Sequence, residues 1–580
     1  MSDALDPIDL EVARNALVAI PEEMNATLVR TAYSPNVKER ADCSCAVFAV
    51  EPRDDGAAAE VELLAQAENI PVHLGAMPFS VAAAFERFPP AELHPGDGVL
   101  LNDPFHGGAH LPDLTLVTPV FVDGDLVAAV ANRAHHADIG GAQGGSVAAD
   151  ATEIYAEGLR IPPVKLVREG ELDPAVRDLL LANVRTPDER RGDLRAQRAA
   201  NETGRRRFEG FAAERDDLRA ATTAITDYAE RRTRAAIREL PDGEYAFEDR
   251  LDDDGRGTEY LPIRATVTVD GDEIVVDFAG TAPSTEGPVN APFAVTASAT
   301  YYAVRAVTDP DVTPNAGCYR PVEIRTPADS IVDAEPPAAV VGGNLETSQR
   351  VTDVVLGAFA QAAPERVSAA GQGTMNNVTL AGTDPRRDRG AEGTGDAAYT
   401  FYETGAGGAG AAPTTDGMDG VHVHMSNTLN TPAEVLETAY PLRVRRYEFR
   451  PDSGGAGEHR GGLGLRRDIE VVDHEARVSL LAERHRSRPY GLAGGHPGGN
   501  GEALLNPDGD AERLPAKCTR RLPPETVLSV RSPGGGGHGD PADRDREAVL
   551  RDLRLGKLSA AAARERYGVK VEEAGDAEGD

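Results

Sequence analysis

The stretch "DLTLVTPVFVDGDLVAAVANRAHH" (113–136) decides the fold around it. Residues 114–122 and 126–134 are apolar and rich in β-branched side chains, and the Asp-Gly pair between them favours a tight turn. If the turn comprises residues 123–125, paired positions sum to 248, so that Asp113 lies opposite His135 at the open end of the hairpin. Opposed residues have Cβ atoms about 4.5–5.5 Å apart. A two-residue turn would shift the register by one and leave Asp113 and His135 adjacent.

The loop before this hairpin, "HGGAHLPD" (106–113), carries two histidines and an aspartate. Their spacing would place them on one helix face, but Gly107, Gly108 and Pro112 disfavour a helix. Pro112 permits a tight turn, which would bring His110 to the end of the hairpin. The sequence therefore predicts a cluster of two imidazoles and one carboxylate, formed by His110, Asp113 and His135.

Such a cluster leaves coordination positions open and suits Mn, Fe(II) or Zn. Six of the 13 histidines lie between residues 73 and 136, which is more than uniform scatter would place there. His136 or Asp138 could replace or support a ligand, and Asp103 could orient one from outside the cluster. An alternative stays open, in which these histidines only form hydrogen bonds to the backbone of a glycine-rich corner.

The composition limits the class of partner. The chain has 60 basic and 95 acidic residues and a net charge of −35, which argues against nucleic acid or an anionic membrane as partner. Only five residues are lysine, and acid excess with few lysines is typical of proteins kept soluble at high salt. Four cysteines do not make a disulfide framework, so we interpret Cys43 and Cys45 as buried thiols. We find no signal peptide, interpret the apolar window 291–307 as a buried element, and expect a cytoplasmic protein.

Periodicity indicates an α+β, multi-domain fold with N-terminal helices, a hairpin-rich core and a C-terminal β-rich domain. Residues 8–33 are predicted to be helical, with Asp6 as cap, apolar Ile8, Val12, Leu17 and Ile20 at helical spacing, and Pro21 starting a second helix. We place the domains at 1–240 (α+β, with the metal hairpin), 241–435 (central α+β), 436–545 (β-rich) and 546–580 (helical tail with an acidic end).

Local patterns fill in this plan. We predict a charged helix pair over 205–240, a hairpin turning at 269–272, short strands over 440–540, and a tail helix ending at Tyr567–Gly568. The polar segment 381–397 is interpreted as a surface excursion or as disordered.

Two glycine-rich loops resemble phosphate-binding loops but lack the residues that such loops require. Neither "ETGAGGAGAAP" (403–413) nor "SPGGGGHGDP" (532–541) continues into the Lys-Ser/Thr of a P-loop, so no ATP site of that type is predicted in this chain. The first loop remains a candidate substrate loop, and close packing is expected for the second. "GGNLETSQR" (342–350) and "GTMNN" (373–377) offer buried-amide chemistry, with capping and turns as the expected roles.

Long motifs across the chain resemble one family. They include "RTAYSPNVKERADCSCAVF" (30–48), "LNDPFHGGAHLPDLTLVTPVF" (101–121), "NRAHHADIGGAQGGS" (132–146) and "DGVHVHMSNTLNTPAEVLE" (419–437). These strings resemble the hydantoinase B/oxoprolinase family, which comprises the B-type subunits of ATP-dependent N-methylhydantoinases and 5-oxoprolinases. More distantly, the chain is similar to the large subunit of acetone carboxylase.

The resemblance implies a division of labour between two subunits. A hydantoinase A-type ATPase subunit would bind ATP and activate the substrate carbonyl, and this chain would open a lactam or hydantoin by C–N hydrolysis within a hetero-oligomer. In the carboxylase branch a histidine, an aspartate three residues later and a histidine on the following strand hold a Mn-type ion, and these positions fall on His110, Asp113 and His135.

The resemblance also suggests a mechanism and leaves alternatives. A divalent ion on the three residues would polarise a carbonyl or generate hydroxide, and His136 or Asp138 would assist proton transfer to the leaving nitrogen. The alternatives are an acetone-carboxylase-like ketone carboxylase, a non-catalytic scaffold for the ATPase subunit, and a metallohydrolase that acts without a partner.

Overall fold

The computed structural model describes residues 6–53, 59–67, 69–387 and 397–570. In these residues, helices combine with four sheets in which nearly all neighbouring strands are antiparallel. The α+β class and the multi-domain organisation predicted from the sequence are confirmed. The acidic end of the tail and most of the polar segment predicted at 381–397 lie outside the described residues.

The first sheet contains the predicted hairpin. Its strands are β1 (Cys43–Pro52), β2 (Ala59–Gln66), β3 (Gly98–Leu101), β4 (Asp113–Val122), β5 (Asp125–His135), β6 (Val164–Arg168) and β7 (Glu171–Leu172). They lie in the order β2-β1-β5-β4-β3-β6-β7, so the hairpin strands are central. Their burial on both faces explains why residues 114–134 are apolar almost throughout.

The hairpin register confirms the pairing predicted at its open end, where Asp113 lies opposite His135. The turn itself differs from the prediction, because it comprises two residues, Asp123 and Gly124, both with positive φ (52° and 94°). Such a turn is typical of type I′ hairpins. An irregularity between Val120 and Phe121 then shifts the register by one and restores the sum of 248.

Helices cover this sheet. They are α1 (Pro7–Thr31), α2 (Pro35–Lys38), α3 (Pro71–Leu74), α4 (Met77–Arg87), α5 (Pro174–Ala182), α6 (Pro187–Ala213) and α7 (Leu218–Ile237). The predicted charged pair corresponds to α6 and α7, although α6 begins well before residue 205. Asp6 caps α1 as predicted, with its side chain accepting a hydrogen bond from the Ile8 backbone N–H.

The predicted break of α1 at Pro21 is wrong, because the helix continues through this residue. An interior proline costs about 3 kcal/mol. Leu17, Ile20, Met24 and Leu28 flank it and are buried, and each buried side chain of this kind contributes about 1.5–3 kcal/mol. Burial of this face against α6 and β1 therefore offsets the lost hydrogen bond. Ile8 and Val12, which were expected on the same face, are exposed.

The central region contains a four-stranded sheet covered by helices. Its elements are β8 (Gly243–Asp253), β9 (Glu259–Asp270), β10 (Glu273–Asp277), β11 (Val322–Arg325), α8 (Phe293–Val307), α9 (Ala316–Tyr319) and α10 (Ser348–Ala362). The hairpin predicted at 269–272 is confirmed by the pairing of Asp270 with Glu273. The apolar window at 291–307 forms α8, most of whose residues are buried. Among the described helices, none is long and apolar enough to cross a membrane.

Two further sheets contain the C-terminal strands. The remaining elements are β12 (Asn377–Thr383), β13 (Ala398–Glu403), α11 (Ala433–Ala439), β14 (Leu442–Phe449), β15 (Leu465–Val471), β16 (Ala476–Leu481), β17 (Glu502–Leu505), β18 (Glu512–Leu514), β19 (Lys517–Leu522), β20 (Val527–Arg531), α12 (Arg546–Arg554) and α13 (Ala560–Tyr567). The sheets have the orders β13-β12-β16-β19 and β14-β15-β20-β17-β18. The first of them pairs strands from both sides of residue 435, where the sequence analysis places a domain boundary.

The "GGGG" loop is packed backbone against backbone. A Cβ at Gly535 would lie 1.9 Å from the Ala409 carbonyl oxygen, and one at Gly536 would lie 2.0 Å from that of Tyr490. The candidate substrate loop is equally crowded, since a Cβ at Gly410 would lie 1.7 Å from the Ala369 carbonyl oxygen. The glycines of both loops therefore allow close backbone approach, as expected for the second loop.

Candidate metal centre

The end of the β4–β5 hairpin brings His110, Asp113 and His135 together. His110 Nε2 lies 3.0 Å from Asp113 Oδ1, and His135 Nδ1 lies 3.2 Å from the same oxygen. Ligand atoms from the three residues all lie within 4.8 Å of one another. The side chains are buried, and the two imidazole rings have centroids 5.0 Å apart. Hairpin pairing positions Asp113 and His135, and the turn at Pro112 adds His110.

The polar atoms of this cluster are only partly paired with one another. His110 Nδ1 and His135 Nε2 are buried and have no hydrogen-bond partner within the part of the chain that the structure describes. His110 Nε2 faces Asp113 Oδ1 at 3.0 Å, and Asp113 Oδ2 faces the His73 imidazole at 3.2 Å. Buried polar atoms are rarely left unpaired. Two imidazoles and one carboxylate are a donor set that binds divalent first-row metals. The residues present therefore fit a divalent ion.

The electrostatics of the cluster suit ligands as well. Burial lowers the pKa of His110, which keeps its imidazole neutral and its lone pair available. Burial acts in the opposite direction on Asp113, but His110 and His73 outweigh it and hold the pKa of this carboxyl well below its usual range. Asp113 is therefore a carboxylate at neutral pH.

His73 is a fourth member of the site that the sequence analysis did not assign. It lies on α3, is buried, and places Nε2 3.2 Å from Asp113 Oδ2. The Ser44 hydroxyl lies 3.4 Å from its other ring nitrogen. His73 therefore approaches the carboxylate oxygen opposite the one that faces His110 and His135. Its place among the six clustered histidines was the available sequence signal.

Residues distant in sequence support His135. The Tyr402 ring stacks on its imidazole, with centroids 4.5 Å apart and planes 12° apart. Asn36 Nδ2 donates to the His135 carbonyl oxygen over 2.7 Å. Arg40 connects these groups by donating to Asn36 Oδ1 and, over 3.0 Å, to the Tyr402 carbonyl oxygen. Helix α2 thus holds the His135 backbone through Asn36, and β13 holds its imidazole through Tyr402.

The three predicted assisting residues have different surroundings. His136 is buried with Nε2 3.0 Å from Gln197 Oε1 on α6, and its Nδ1 has no partner among the described residues. Burial, assisted by Arg190, lowers the pKa of His136 to about 4. Asp138 accepts hydrogen bonds from the Arg185 guanidinium and backbone N–H, both 2.7 Å away.

Asp103 lies at the start of the loop. Its Oδ1 accepts from the Phe105 backbone N–H over 3.1 Å, and Oδ2 lies 2.9 Å from His106 Nδ1 and 3.0 Å from Arg160 Nε. The structure thus brings the three predicted ligands together, whereas Asp103 and Asp138 pair with groups outside that cluster.

A cavity of about 200 Å³ lies against α3. It is lined by Pro71 and Gly75, which begin and cap the helix that carries His73, and by Tyr301 and Tyr302 of α8.

The fold and this site define an α+β protein with a buried His-Asp-His cluster at a hairpin end. The chain belongs to the hydantoinase B/oxoprolinase family, whose pattern it matches over residues 6–541.

Named relatives agree with this assignment. The chain is 37% identical to 5-oxoprolinase 1 of Arabidopsis thaliana over 92% of its length, but spans only 42% of that relative. It is 31% identical to a protein of Pseudomonas sp. that is provisionally named as the B component of a D-/L-hydantoinase, covering 98% of this chain and 95% of the relative.

Solved structures share the fold. An ATP-dependent caprolactamase from Pseudomonas jessenii superposes with a TM-score of 0.88 at 32% identity, covering 99% of this chain and 98% of that one. A nucleotide-free acetone carboxylase superposes with a TM-score of 0.86 at 20% identity, covering 98% and 80%. The second likeness establishes a shared fold, and the distant similarity expected from the sequence is confirmed at that level.

Proposed function

We propose that this chain is the B-type subunit of an ATP-dependent cyclic amidohydrolase that opens a lactam or hydantoin ring by C–N hydrolysis. Membership of the family and the likeness to an ATP-dependent caprolactamase support this reaction class. The observation that carries the proposal is the convergence of His110 and His135 on one oxygen of Asp113 in a buried setting. Such a cluster is a suitable centre for polarising an amide carbonyl.

In this proposal His110, Asp113 and His135 hold a divalent ion, with Mn, Zn or Fe compatible with the donor set. When bound, the ion would supply Lewis acidity and lower the pKa of a bound water. The residues of the chain do the rest: Asp113 contributes the negative charge, the neutral imidazoles contribute lone pairs, and the buried setting excludes bulk water. Tyr402 keeps the His135 ring in one orientation by stacking.

We assign proton transfer to the leaving nitrogen to His136, whose neutral imidazole would accept a proton from the attacking water and pass it to that nitrogen. Its Nδ1 has no partner in the described part of the chain, and it directly follows His135. Asp138 was the other candidate, but Arg185 occupies its carboxylate, so we propose that it holds the loop after β5. We propose that Asp103 likewise holds the loop before β4 in place. The cavity beside α3 is proposed as the path of the cyclic amide.

We propose that ATP binds to a hydantoinase A-type partner subunit in a cytoplasmic hetero-oligomer. The chain spans about two fifths of the length of the 5-oxoprolinase relatives, which supports a partner that supplies the function of the remaining part. An acetone-carboxylase-like reaction is the second candidate, favoured by the shared fold. Products of the reconstituted complex distinguish the two, since only the carboxylase incorporates bicarbonate into a ketone.

The test is elemental analysis of the purified chain together with lactam opening by the reconstituted complex. We expect one divalent ion per chain in the wild type, and loss of both the ion and ring opening in His110→Ala and His135→Ala. His106→Ala is the matched control, because His106 lies in the same loop but is half-exposed and pairs with Asp103. ATP hydrolysis by the partner should persist in all variants. Metal-free wild type with full activity would contradict the proposed centre.

A further inference from the structure

Glu346 is a buried carboxyl group behind the candidate metal centre. It lies in a π-helical turn, Gly343–Thr347, that leads into α10. Its Oε1 accepts hydrogen bonds from Asn377 Nδ2 over 2.8 Å and from the Met375 backbone N–H over 3.2 Å. Its Oε2 is buried and has no hydrogen-bond partner among the described residues. π-helical turns occur frequently at functional sites.

A short series of contacts connects Glu346 to His135. Asn377 donates from Nδ2 to Glu346 and accepts at Oδ1 from the Tyr402 hydroxyl over 3.1 Å. A second hydrogen bond, from Nδ2 to the Leu481 carbonyl oxygen over 3.0 Å, fixes this amide orientation. Tyr402 in turn stacks on the His135 imidazole. The carboxyl group and the Leu481 carbonyl therefore hold the Asn377 amide together, and the amide in turn holds the Tyr402 hydroxyl.

The surroundings of Glu346 favour its protonated form. Burial raises the pKa of Glu346 to about 8, with Glu483 adding to the rise and the Thr374 hydroxyl and Lys517 opposing it. The charged or titratable groups facing it are Glu483 after β16, Lys517 on β19 and Tyr402 on β13. Because Oε1 already receives two donors, the proton belongs on Oε2. Loss of that proton would leave a buried negative charge, which is unfavourable even though the Thr374 hydroxyl and Lys517 favour the charged form.

We propose that Glu346 is a positioning residue that acts in its neutral form, holding Asn377 and Tyr402 so that His135 is presented to the metal centre. This inference rests on the proposed function, since it assigns His135 as a ligand. The ionised carboxylate would still accept from Asn377 and Met375, but its buried charge is unfavourable, so we expect ionisation to shift the π-helical turn and reduce activity on the alkaline side of the pH profile. Residues that orient ligands from outside typically change metal affinity or activity 10- to 100-fold when removed.

The variant Glu346→Gln tests the inference, because its amide keeps a carbonyl oxygen for both donors but does not titrate. We expect activity of the complex within about threefold of wild type at neutral pH, and loss of the alkaline decline near pH 8. Glu346→Ala should lower metal affinity and activity at least about tenfold.

Glu157 supplies a matched control. Its Oε1 likewise accepts two backbone donors, from Val340 and Val341, while burial raises its pKa to about 8, and its Oε2 has no partner in the described residues. Among the described residues, no hydrogen bond joins it to Tyr402 or Asn377. Glu157→Gln should therefore leave the alkaline decline of activity unchanged.

A second readout does not depend on activity. Infrared spectra of Glu157→Gln should contain the carbonyl stretch of a buried protonated carboxyl group, which disappears in parallel with the decline of activity and is absent when Glu346→Gln is added. The titration of this signal in Glu157→Gln, compared with the decline of activity, applies even if Glu346→Gln folds poorly. An unchanged alkaline decline in Glu346→Gln, or a carboxyl signal that titrates elsewhere, would overturn the inference. If the ligand variants also retain metal, the proposed function fails instead.

Discussion

At the scale of single residues, His73 provides a test of how the centre is organised. Its Nε2 contacts the Asp113 oxygen that faces away from the two predicted histidine ligands, so it orients the carboxylate. We expect His73→Ala to lower metal affinity about 10- to 100-fold with the fold retained. Competition with a chromophoric chelator measures this. His94→Ala is the control, since His94 is exposed and lies 3.7 Å from Asp97; equal affinities of the two variants would contradict the role of His73.

Residue chemistry also explains how much of this centre the sequence could predict. His110, Asp113 and His135 were identifiable because one hairpin and one turn bring them together. His73 and Tyr402 could not be assigned, because α3 and β13 reach the site through tertiary packing that local periodicity does not record. Asp103 and Asp138 were reasonable candidates by proximity in sequence, but Arg160 and Arg185 lie beside their carboxylates.

Glu157 predicts a pH dependence of stability. Its ordinary pKa is 4.5, and burial raises it to about 8 in the folded chain. Between these values the unfolded chain is ionised and the folded chain is not, so this group lowers stability as pH rises through that window. Glu157→Gln removes the effect, so we expect the difference in free energy of unfolding between variant and wild type to grow by about 2–4 kcal/mol from about pH 5 to about pH 8. Urea unfolding of both proteins at both pH values measures this difference. A difference that stays the same at the two pH values would contradict the prediction.

At the scale of elements, a glycine of the "GGGG" loop and a glycine of the turn between β17 and β18 should differ sharply in their tolerance to a methyl group. A Cβ at Gly535 would lie 1.9 Å from the Ala409 carbonyl oxygen, whereas nothing lies within 4 Å of one at Gly509. Because the crowding atom at Gly535 is backbone, it cannot rotate away. We expect Gly535→Ala to destabilise the chain by about 3 kcal/mol or more and Gly509→Ala to stay within about 0.5 kcal/mol. Thermal unfolding of both variants provides the comparison, and similar midpoints would contradict this packing.

The same scale shows why element boundaries were harder to predict than pairings. The register of β4 and β5 was predicted by counting from an assumed three-residue turn, because both faces of these strands are buried and their hydrophobic pattern does not select one register. The pairing at the open end nevertheless agrees with the prediction, because the irregularity near Val120 compensates for the missing turn residue. Similarly, Pro21 signals a helix start in isolation, but packing of α1 against α6 and β1 overrides that local preference.

For the whole molecule, long-range strand order was the part that the sequence could not supply. Strands β12 and β13 join β16 and β19 in one sheet, although the chain between them passes through strands of another sheet. Such pairing depends on tertiary contacts and not on periodicity. Composition, by contrast, is a property of the whole chain and carries a prediction without any knowledge of topology.

The net charge of −35 predicts that stability depends on salt. Excess like charge destabilises a compact state through self-repulsion. Salt screens this repulsion, because the Debye length falls from about 10 Å at 0.1 M to about 3 Å at 1 M. We expect the urea concentration at half-unfolding to rise between about 0.1 M and about 2 M KCl. Measurement near pH 4.8, the isoelectric point of the sequence, is the control, because the net charge vanishes there and the rise should shrink. A midpoint indifferent to KCl at neutral pH would contradict a high-salt adaptation and would leave the acid excess without a role in stability.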